Sequence, residues 1–217
     1  MIKLVPKTKL GKIRFAIILG CSLLIVIYFY SIPLSGYILY HPQEGDILFQ
    51  SLPKNDLVIA IEGATESPYS HCGVVVKRSG SWYVNEAIGP VKDTSLFVWI
   101  ARGRAGKFAV YRLREKYRKY IPAFISELNQ HQGKPYDIRY DLDDESIYCS
   151  ELIYKAFRDA SGIELGDLAK LGDLNWGPYK EIIEGIEGGN APVERRMITP
   201  RNLSEADELE KIYSNGM

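Results

Sequence analysis

The fold is decided by Tyr148-Cys149-Ser150-Glu151-Leu152-Ile153-Tyr154, a stretch that places a cysteine at the start of the most clearly amphipathic helix in the chain. That helix is predicted over residues 149–160, and Ser161-Gly162 ends it. A thiol in the first turn lies at the positive end of the helix dipole, which favours the thiolate and lowers the pKa of the thiol. By position alone, Cys149 is either an activated nucleophile or a small buried hydrophobic residue.

A histidine on a predicted β-hairpin is the candidate base for this thiol. His71 opens the apolar strand that runs to Val76, and a turn at 78–80 leads into a second strand over residues 82–87. The first side chain of a strand that begins at a cleft is available to that cleft, and His71 is the first residue of its strand. Taken alone, His71 is also explained as a histidine at the edge of the core that bonds a backbone carbonyl.

Glu86, on the second strand of the hairpin, is the candidate third member of the site. A turn of two or four residues puts His71 and Glu86 on one face, opposed or diagonal, whereas a turn of three separates them. A carboxylate beside an imidazole fixes its tautomer and stabilises the imidazolium. The alternative is a solubilising charge on an edge strand. The apolar residues Val84 and Ile88 on either side favour a paired acid.

The remaining cysteines and histidines predict no metal or disulfide framework. Cys72 follows His71 directly, so it faces the other side of the sheet and is interpreted as core. Asn85 is the fallback polar residue for Glu86, although alternation turns it away. His41 and His131 lie in polar surroundings, and the histidines are too scattered for a zinc motif. We therefore expect neither a metal nor a cofactor.

The N-terminal segment predicts a membrane anchor. Five basic residues precede the 20 residues from Phe15 to Leu34, which contain no charged side chain. Twenty such residues in a helix match the hydrocarbon thickness of a bilayer, and the basic flank predicts a cytoplasmic N-terminus. The run is long for a cleaved signal peptide and continues past Cys21, whose surroundings only faintly match a lipoprotein box. We expect residues 1–36 to form an uncleaved anchor and residues 37–217 one exported domain.

The exported part reads as an α+β domain, a small antiparallel sheet with helices packed on it. Its length of about 170 residues suffices for one self-supporting core. Formal net charge is zero and no basic stripe runs through the domain, so nucleic-acid binding is not expected. The predicted elements are strands at 47–50, 72–76, 82–87 and 108–113 and helices at 56–64, 96–102, 120–130, 149–160 and 179–186.

Two segments together resemble a known superfamily. Gly133-Lys134-Pro135-Tyr136 followed by the Cys149 stretch is similar to the cysteine segment of the NlpC-type cell-wall peptidases, and Ser70-His71-Cys72-Gly73 is similar to their histidine strand. Here the histidine precedes the cysteine, which is the mark of the circularly permuted branch. Within that branch the chain resembles the YiiX-type papain-like amidases, which share its G-D-I-x-F-Q, S-H-x-G, E-A and Y-C-S-E-L motifs over residues 45–203.

The resemblance implies a permuted papain-like fold and a residue-by-residue site. It assigns Cys149 as nucleophile, His71 as base and Glu86 as the partner that orients the imidazole. It also places Tyr136 and Tyr148 near the cleft as substrate-binding candidates. Glu151 stands where NlpC-type peptidases have glycine, a departure that the YiiX branch shares and that weakens the case for stem peptides as substrate.

Three functions follow as hypotheses. The first is a cysteine hydrolase that cleaves a peptide or cell-envelope amide through a thioester, held on the bacterial cytoplasmic membrane with its catalytic domain outside. The second is a lipid-directed hydrolase or acyltransferase on ester or amide bonds, with an apolar rim built by Leu168, Leu171, Leu174 and Trp176. The third is a non-catalytic envelope binding module.

Overall fold

A six-stranded antiparallel sheet with helices on both faces organises the protein. The computed structural model describes residues 8–217, except for the side chains of residues 25, 26 and 28–30. Within that part the helices are Lys9–Leu39 (α1), Asp56–Ala64 (α2), Leu96–Arg102 (α3), Ile121–Gln130 (α4), Cys149–Ser161 (α5), Lys180–Glu187 (α6) and Pro200–Ser204 (α7). The strands are Ile47–Gln50 (β1), His71–Arg78 (β2), Ser81–Ala87 (β3), Val91–Ser95 (β4), Ala109–Leu113 (β5), Ala169–Lys170 (β6), Arg196–Met197 (β7) and Leu209–Ser214 (β8).

The main sheet has the strand order β4-β3-β2-β1-β5-β8, and every neighbouring pair is antiparallel. The short strand β1 lies in the interior between β2 and β5. It is apolar over three consecutive residues rather than alternating, because both of its faces are covered. The α+β prediction with a small antiparallel sheet is therefore confirmed.

Strand alternation divides the core into two layers. On one face, Phe49, Cys72 and Val74 pack with α4 and α5, whose Phe124 and Phe157 rings meet edge to face at 5.6 Å between centroids. On the other face, apolar side chains of the same strands surround the fully buried Trp99 of α3. The first layer brings α5 against β2, so the start of the cysteine helix lies near the start of the histidine strand.

The β2–β3 hairpin has a two-residue turn. Arg78 pairs with Ser81, and the intervening Ser79 and Gly80 both have positive φ, 48° and 86°, as a type I′ turn requires. The pairing of Gly73 and Glu86 that this register implies makes Glu86 a diagonal neighbour of His71 on one face. The turn of two residues therefore meets the condition under which the sequence predicts His71 and Glu86 on one face.

Four strands, one short helix and the end of another helix differ from the sequence prediction; among them β6, β7 and α7, each of two to five residues, were not predicted. The edge strands β4 and β8 were not predicted, because Val-Lys-Asp-Thr-Ser and Leu-Glu-Lys-Ile-Tyr-Ser carry the charges of strands with one edge in water. Helix α1 continues to Leu39, three residues past the end predicted for the anchor segment. Contacts hold that end of α1, where Tyr37 packs edge to face on Phe97 at 5.7 Å.

The predicted anchor falls on α1. Several aliphatic side chains of this helix are more than half exposed, among them Ile18 at 64% and Leu24 at 66%. Of the residues that the structure describes, none form a helix that is both long and apolar enough to cross a membrane. The anchor therefore stays a prediction from the sequence, and residues 1–7 at its basic end lie outside the described part.

Gly73 gives a test of the hairpin's packing. A Cβ there would lie 2.5 Å from Val84 Cγ1 and 3.0 Å from the Asn85 carbonyl oxygen. We expect Gly73→Ala to lower the free energy of unfolding by about 1–3 kcal/mol, measured by urea denaturation. The matched control is Gly185→Ala in α6, where nothing lies within 4 Å and alanine should add up to about 1 kcal/mol. Equal stability of the Gly73 variant and the wild type would contradict this packing.

Candidate active site

The first turn of α5 is built around Glu151. Its Oε2 accepts a hydrogen bond from the Tyr148 backbone N–H at 3.2 Å, and its Oε1 pairs with Lys155 Nζ at 2.8 Å. Burial raises the pKa of Glu151 to about 7, although the hydrogen bonds from Lys155 and Tyr148 act in the opposite direction. The residue that replaces the glycine of NlpC-type peptidases thus caps the cysteine helix rather than entering a cleft.

The two residues beside Cys149 are held by the backbone of Ile198. The Ile198 N–H donates to the Tyr148 hydroxyl at 3.0 Å, and Ser150 Oγ donates to the Ile198 carbonyl at 2.8 Å. Tyr148 is fully buried and its ring lies 4.5 Å from that of Tyr140. Its predicted contact with substrate gains no support from this position, since the side chain holds the helix start in place.

The structure brings His71 and Glu86 into direct contact. His71 Nε2 lies 2.6 Å from Glu86 Oε2, and both side chains are almost fully buried. Glu86 also accepts hydrogen bonds from Thr94 Oγ1 at 2.5 Å and from the Arg102 guanidinium. Burial would raise the pKa of Glu86, but the hydrogen bonds and charges of His71 and Arg102 outweigh it and lower the pKa to about 2.

Cys149 is the other group that acts on His71, so the ring interacts with both the thiol and the carboxylate. Because Nε2 contacts Glu86, Nδ1 is the nitrogen left for the thiol. Burial alone would lower the pKa of His71, whereas its hydrogen bonds to Cys149 and Glu86 and their charges raise that pKa to about 9. At neutral pH the imidazole therefore carries both protons.

Cys149 is the complementary half of this ion pair. Its sulfur accepts hydrogen bonds from the Cys72 thiol, from His71 and from the Cys72 backbone N–H. The Cys72 thiol makes the largest contribution, and with His71 it holds the pKa of Cys149 well below the ordinary value despite burial. The dipole of α5 acts in the same direction.

Cys72 is a core residue, as predicted, but its neighbour was not foreseen. It packs in the layer that contains Cys149, on the face opposite His71. Burial raises the pKa of Cys72 well above its ordinary value, and the hydrogen bond to Cys149 adds to that shift. Cys72 therefore stays a neutral thiol, and its S–H group acts as a hydrogen-bond donor to the Cys149 thiolate. Strand alternation gave its face, but only the position of α5 shows what it contacts.

Tyr136 lies beside the same sulfur. Burial and the negative charge of Cys149 raise the pKa of Tyr136 well above its ordinary value, so its hydroxyl stays protonated. That hydroxyl lies 3.2 Å from the hydroxyl of Tyr140. Of the two tyrosines predicted to bind substrate, Tyr136 is the one placed near the reactive atoms.

Three further polar residues complete the surroundings and were missed at the sequence level. Arg102 and Thr94 hold Glu86, and Gln50 is the direct strand partner of His71. Gln50 is fully buried, and within residues 8–217 no partner bonds its amide. The apolar β1 pattern predicted its burial, but no local signal connected Arg102 or Thr94 with a residue on another element.

The sequence matches the model of one family across this whole arrangement. Residues 41–213 match "Permuted papain-like amidase enzyme, YaeF/YiiX, C92 family". The chain therefore belongs to the permuted papain-like amidase family, as its motifs predicted. By that membership it is a cysteine peptidase- or amidase-like hydrolase that acts on amide bonds.

Two relatives show how far the similarity extends. The uncharacterized protein YiiX of Escherichia coli strain K12 is 35% identical over 177 residues, which cover 78% of this chain and 85% of that protein. The crystal structure of yiiX from Escherichia coli O157:H7 superposes with a TM-score of 0.72 at 32% identity, covering 81% of this chain and 98% of that one.

That solved relative is described as a metalloprotein. Over residues 8–217 of the present chain, no group of three or more His, Cys, Asp or Glu side chains lies close enough to hold a metal ion. The residues around Cys149 form a hydrogen-bonded chain instead of a ligand set. We therefore derive no step of the reaction through a metal.

The contact between Cys72 and Cys149 predicts a measurable pKa difference. In a Cys21→Ala background, the rate of Cys149 alkylation by iodoacetamide should stay high down to well below pH 7, because the thiolate persists there. Cys72→Ala removes a hydrogen bond to a charged group and should move the midpoint upward by about one to two pH units. Cys72→Ser keeps a donor and should shift it less. Identical midpoints in all three proteins would show that Cys72 does not stabilise the thiolate.

Proposed function

We propose that the protein is a cysteine amidase whose reaction runs through Cys149, His71 and Glu86 and a thioester intermediate. One observation carries the proposal, the contact of His71 with Glu86 at 2.6 Å together with the interaction of the same ring with Cys149. Its protonation pattern at neutral pH is thiolate, imidazolium and carboxylate, because the pKa of Cys149 is lowered, that of His71 is about 9 and that of Glu86 is about 2.

In the acylation step, the thiolate of Cys149 attacks the carbonyl carbon of the amide and a C–S bond forms. The backbone N–H of Cys149, at the start of α5, is available to the developing oxyanion. His71 then donates its Nδ1 proton to the departing amine as the C–N bond breaks, which leaves a thioester and a neutral imidazole.

In the deacylation step, neutral His71 removes a proton from water, which attacks the thioester and regenerates the thiolate. Glu86 keeps the ring oriented and stabilises each imidazolium, and its pKa of about 2 means that it does not itself take the proton. Arg102 and Thr94 hold Glu86 in place throughout.

The substrate class proposed is a peptide or cell-envelope amide. Family membership supports amide chemistry in general. The competing function is a lipid-directed hydrolase or acyltransferase on esters, and separate incubation with peptidoglycan fragments and with phospholipids distinguishes the two by their products. A non-catalytic role would leave both substrates intact.

Removal of either reacting group is expected to abolish turnover while the fold persists. Cys149→Ala and His71→Ala should each lose all measurable amide hydrolysis, because one lacks the nucleophile and the other lacks the proton donor. Glu86→Gln should retain a residual rate about two to four orders of magnitude below wild type, since the ring loses its orienting charge. Circular dichroism checks the fold of each variant.

The matched controls are Cys21→Ala and His131→Ala, which remove the same residue types outside the site. Both should keep wild-type turnover. Full hydrolysis by the Cys149→Ala protein would end the proposal.

We also propose that residues 1–36 anchor the protein in the bacterial cytoplasmic membrane with the catalytic domain outside. The proposal rests on the 20 uncharged residues from Phe15 to Leu34 and the basic residues before them. The exposed aliphatic side chains of α1, such as Ile18 and Leu24, are consistent with it.

Cysteine labelling tests both the anchor and its direction. In a background that carries both Cys21→Ala and Cys149→Ala, Ser79→Cys in the β2–β3 turn should react with a membrane-impermeant maleimide in intact cells, whereas Lys7→Cys should react only after lysis. The protein should stay in the membrane pellet after a carbonate wash, and a chain lacking residues 1–36 should not. Labelling of both positions only after lysis would refute the orientation, and release by carbonate would refute the anchor.

A further inference from the structure

A groove with apolar walls lies beside the candidate active site, between helices α2 and α6. It encloses about 620 Å³, a volume that includes the solvent-filled space at its open mouth. Ile61 of α2, Ile183 and Ile186 of α6, and Leu171 and Leu174 supply much of its wall. The last two belong to the apolar rim that the sequence predicted; Leu168 and Trp176 do not line the groove.

Helix α6 covers this groove without completing a core. It has no fully buried residue, and its Ile183 and Ile186 side chains remain half-buried over the groove. In the same helix, Glu187 bonds Arg195, which also pairs with Asp141 Oδ1 at 2.7 Å. The apolar side chains of α6 therefore border an open space that another apolar group can fill.

The polar groups of the wall are already bonded within the chain. Thr65 Oγ1 donates to the Ile61 carbonyl at 2.7 Å, and Thr199 Oγ1 donates to Asn202 Oδ1 at 2.5 Å. The charges of Glu187 and Arg195 neutralise each other. Arg139 is exposed to solvent at the rim. Away from Arg139, an occupant of the groove meets apolar side chains and polar groups that already have partners, which fits an uncharged hydrocarbon and disfavours a peptide backbone with its many hydrogen-bonding groups.

The groove is continuous with the residues that hold Cys149. Tyr140 lines it, and the Tyr140 ring lies 4.5 Å from that of Tyr148, the residue before Cys149. Thr199 and Pro200 line it as well and directly follow Ile198, whose backbone bonds both neighbours of Cys149. A group seated in the groove is thus one side chain away from the start of α5.

We propose that this groove binds an uncharged aliphatic chain carried by the amide substrate, an inference that rests on the amidase function proposed above. The protein would then select N-acyl amides with a medium or long hydrocarbon chain over short ones. Transfer of each methylene from water into such a wall is worth about 0.8 kcal/mol, or up to about fourfold in affinity.

The test uses p-nitroanilides of acetic, butyric, hexanoic and octanoic acid with the full-length protein, kept free of detergent because detergent tails would compete for the groove. We expect kcat/KM to rise by about two- to fourfold per methylene. Ile183→Trp fills the groove, so kcat/KM should no longer rise with chain length. Turnover of the acetic acid p-nitroanilide should stay near wild type. Glu181→Trp, on the exposed side of the same helix, should keep the full dependence. Leu174→Gln is the second groove variant if Ile183→Trp does not fold.

The outcomes separate the two proposals. Turnover that requires Cys149 but does not vary with chain length, or that varies equally in the groove variants, overturns the groove and leaves the amidase proposal standing. If no anilide is hydrolysed, the peptidoglycan incubation still decides the amidase proposal, and binding decides the groove. In that case calorimetry on Cys149→Ala should show octanoyl anilide binding that Ile183→Trp weakens at least tenfold and Glu181→Trp does not. Absence of binding overturns the inference.

Discussion

A charge buried at Glu86 is the constraint on which the rest of the site depends. A carboxylate without solvent contact costs several kcal/mol unless it is paired and hydrogen-bonded. Here three elements provide the partners, His71 from β2, Thr94 from β4 and Arg102 from α3. Glu86 consequently links the hairpin, the edge strand β4 and helix α3, and loss of any of these elements would remove one partner of the buried charge.

The same charge determines which atoms carry protons around Cys149. Because Glu86 and the thiolate lie on either side of His71, the ring is more stable as imidazolium in spite of its burial. Cys72 adds a neutral donor from the opposite face of the strand, so the thiolate is supported by a cation and by a thiol. The low pKa of Cys149 arises from partners on two adjacent residues of one strand together with the dipole of a helix.

The permuted order of the chain has a simple physical meaning in this fold. The site needs only that the start of β2 and the start of α5 meet at one end of the sheet, and their order along the chain does not affect that geometry. The polypeptide between them forms β3, β4, α3, β5 and α4, which supply both the partners of Glu86 and the packing that holds α5. The groove beside α2 and α6 is lined by α2, by residues after α5, and by Ile138, Arg139 and Tyr140 from this intervening stretch.

The sequence by itself determined the elements with strong local patterns and the residues at their ends. The helix at Cys149, the strand at His71 and a hairpin after it follow from periodicity and turn residues, whereas the two-residue length of the turn, which brings His71 and Glu86 onto one face, was established by the structure. The edge strands were not predicted because charged residues interrupt their apolar pattern. Their structure comes from pairing with a neighbouring strand. Only the tertiary structure decided that Arg102 and Thr94 hold Glu86, that Glu151 caps its own helix and that Cys72 faces the nucleophile. The physical reason is that a long-range contact depends on how whole elements pack. The residues near Arg102 or Cys72 in the chain do not specify which side chain of a distant helix or strand will contact them.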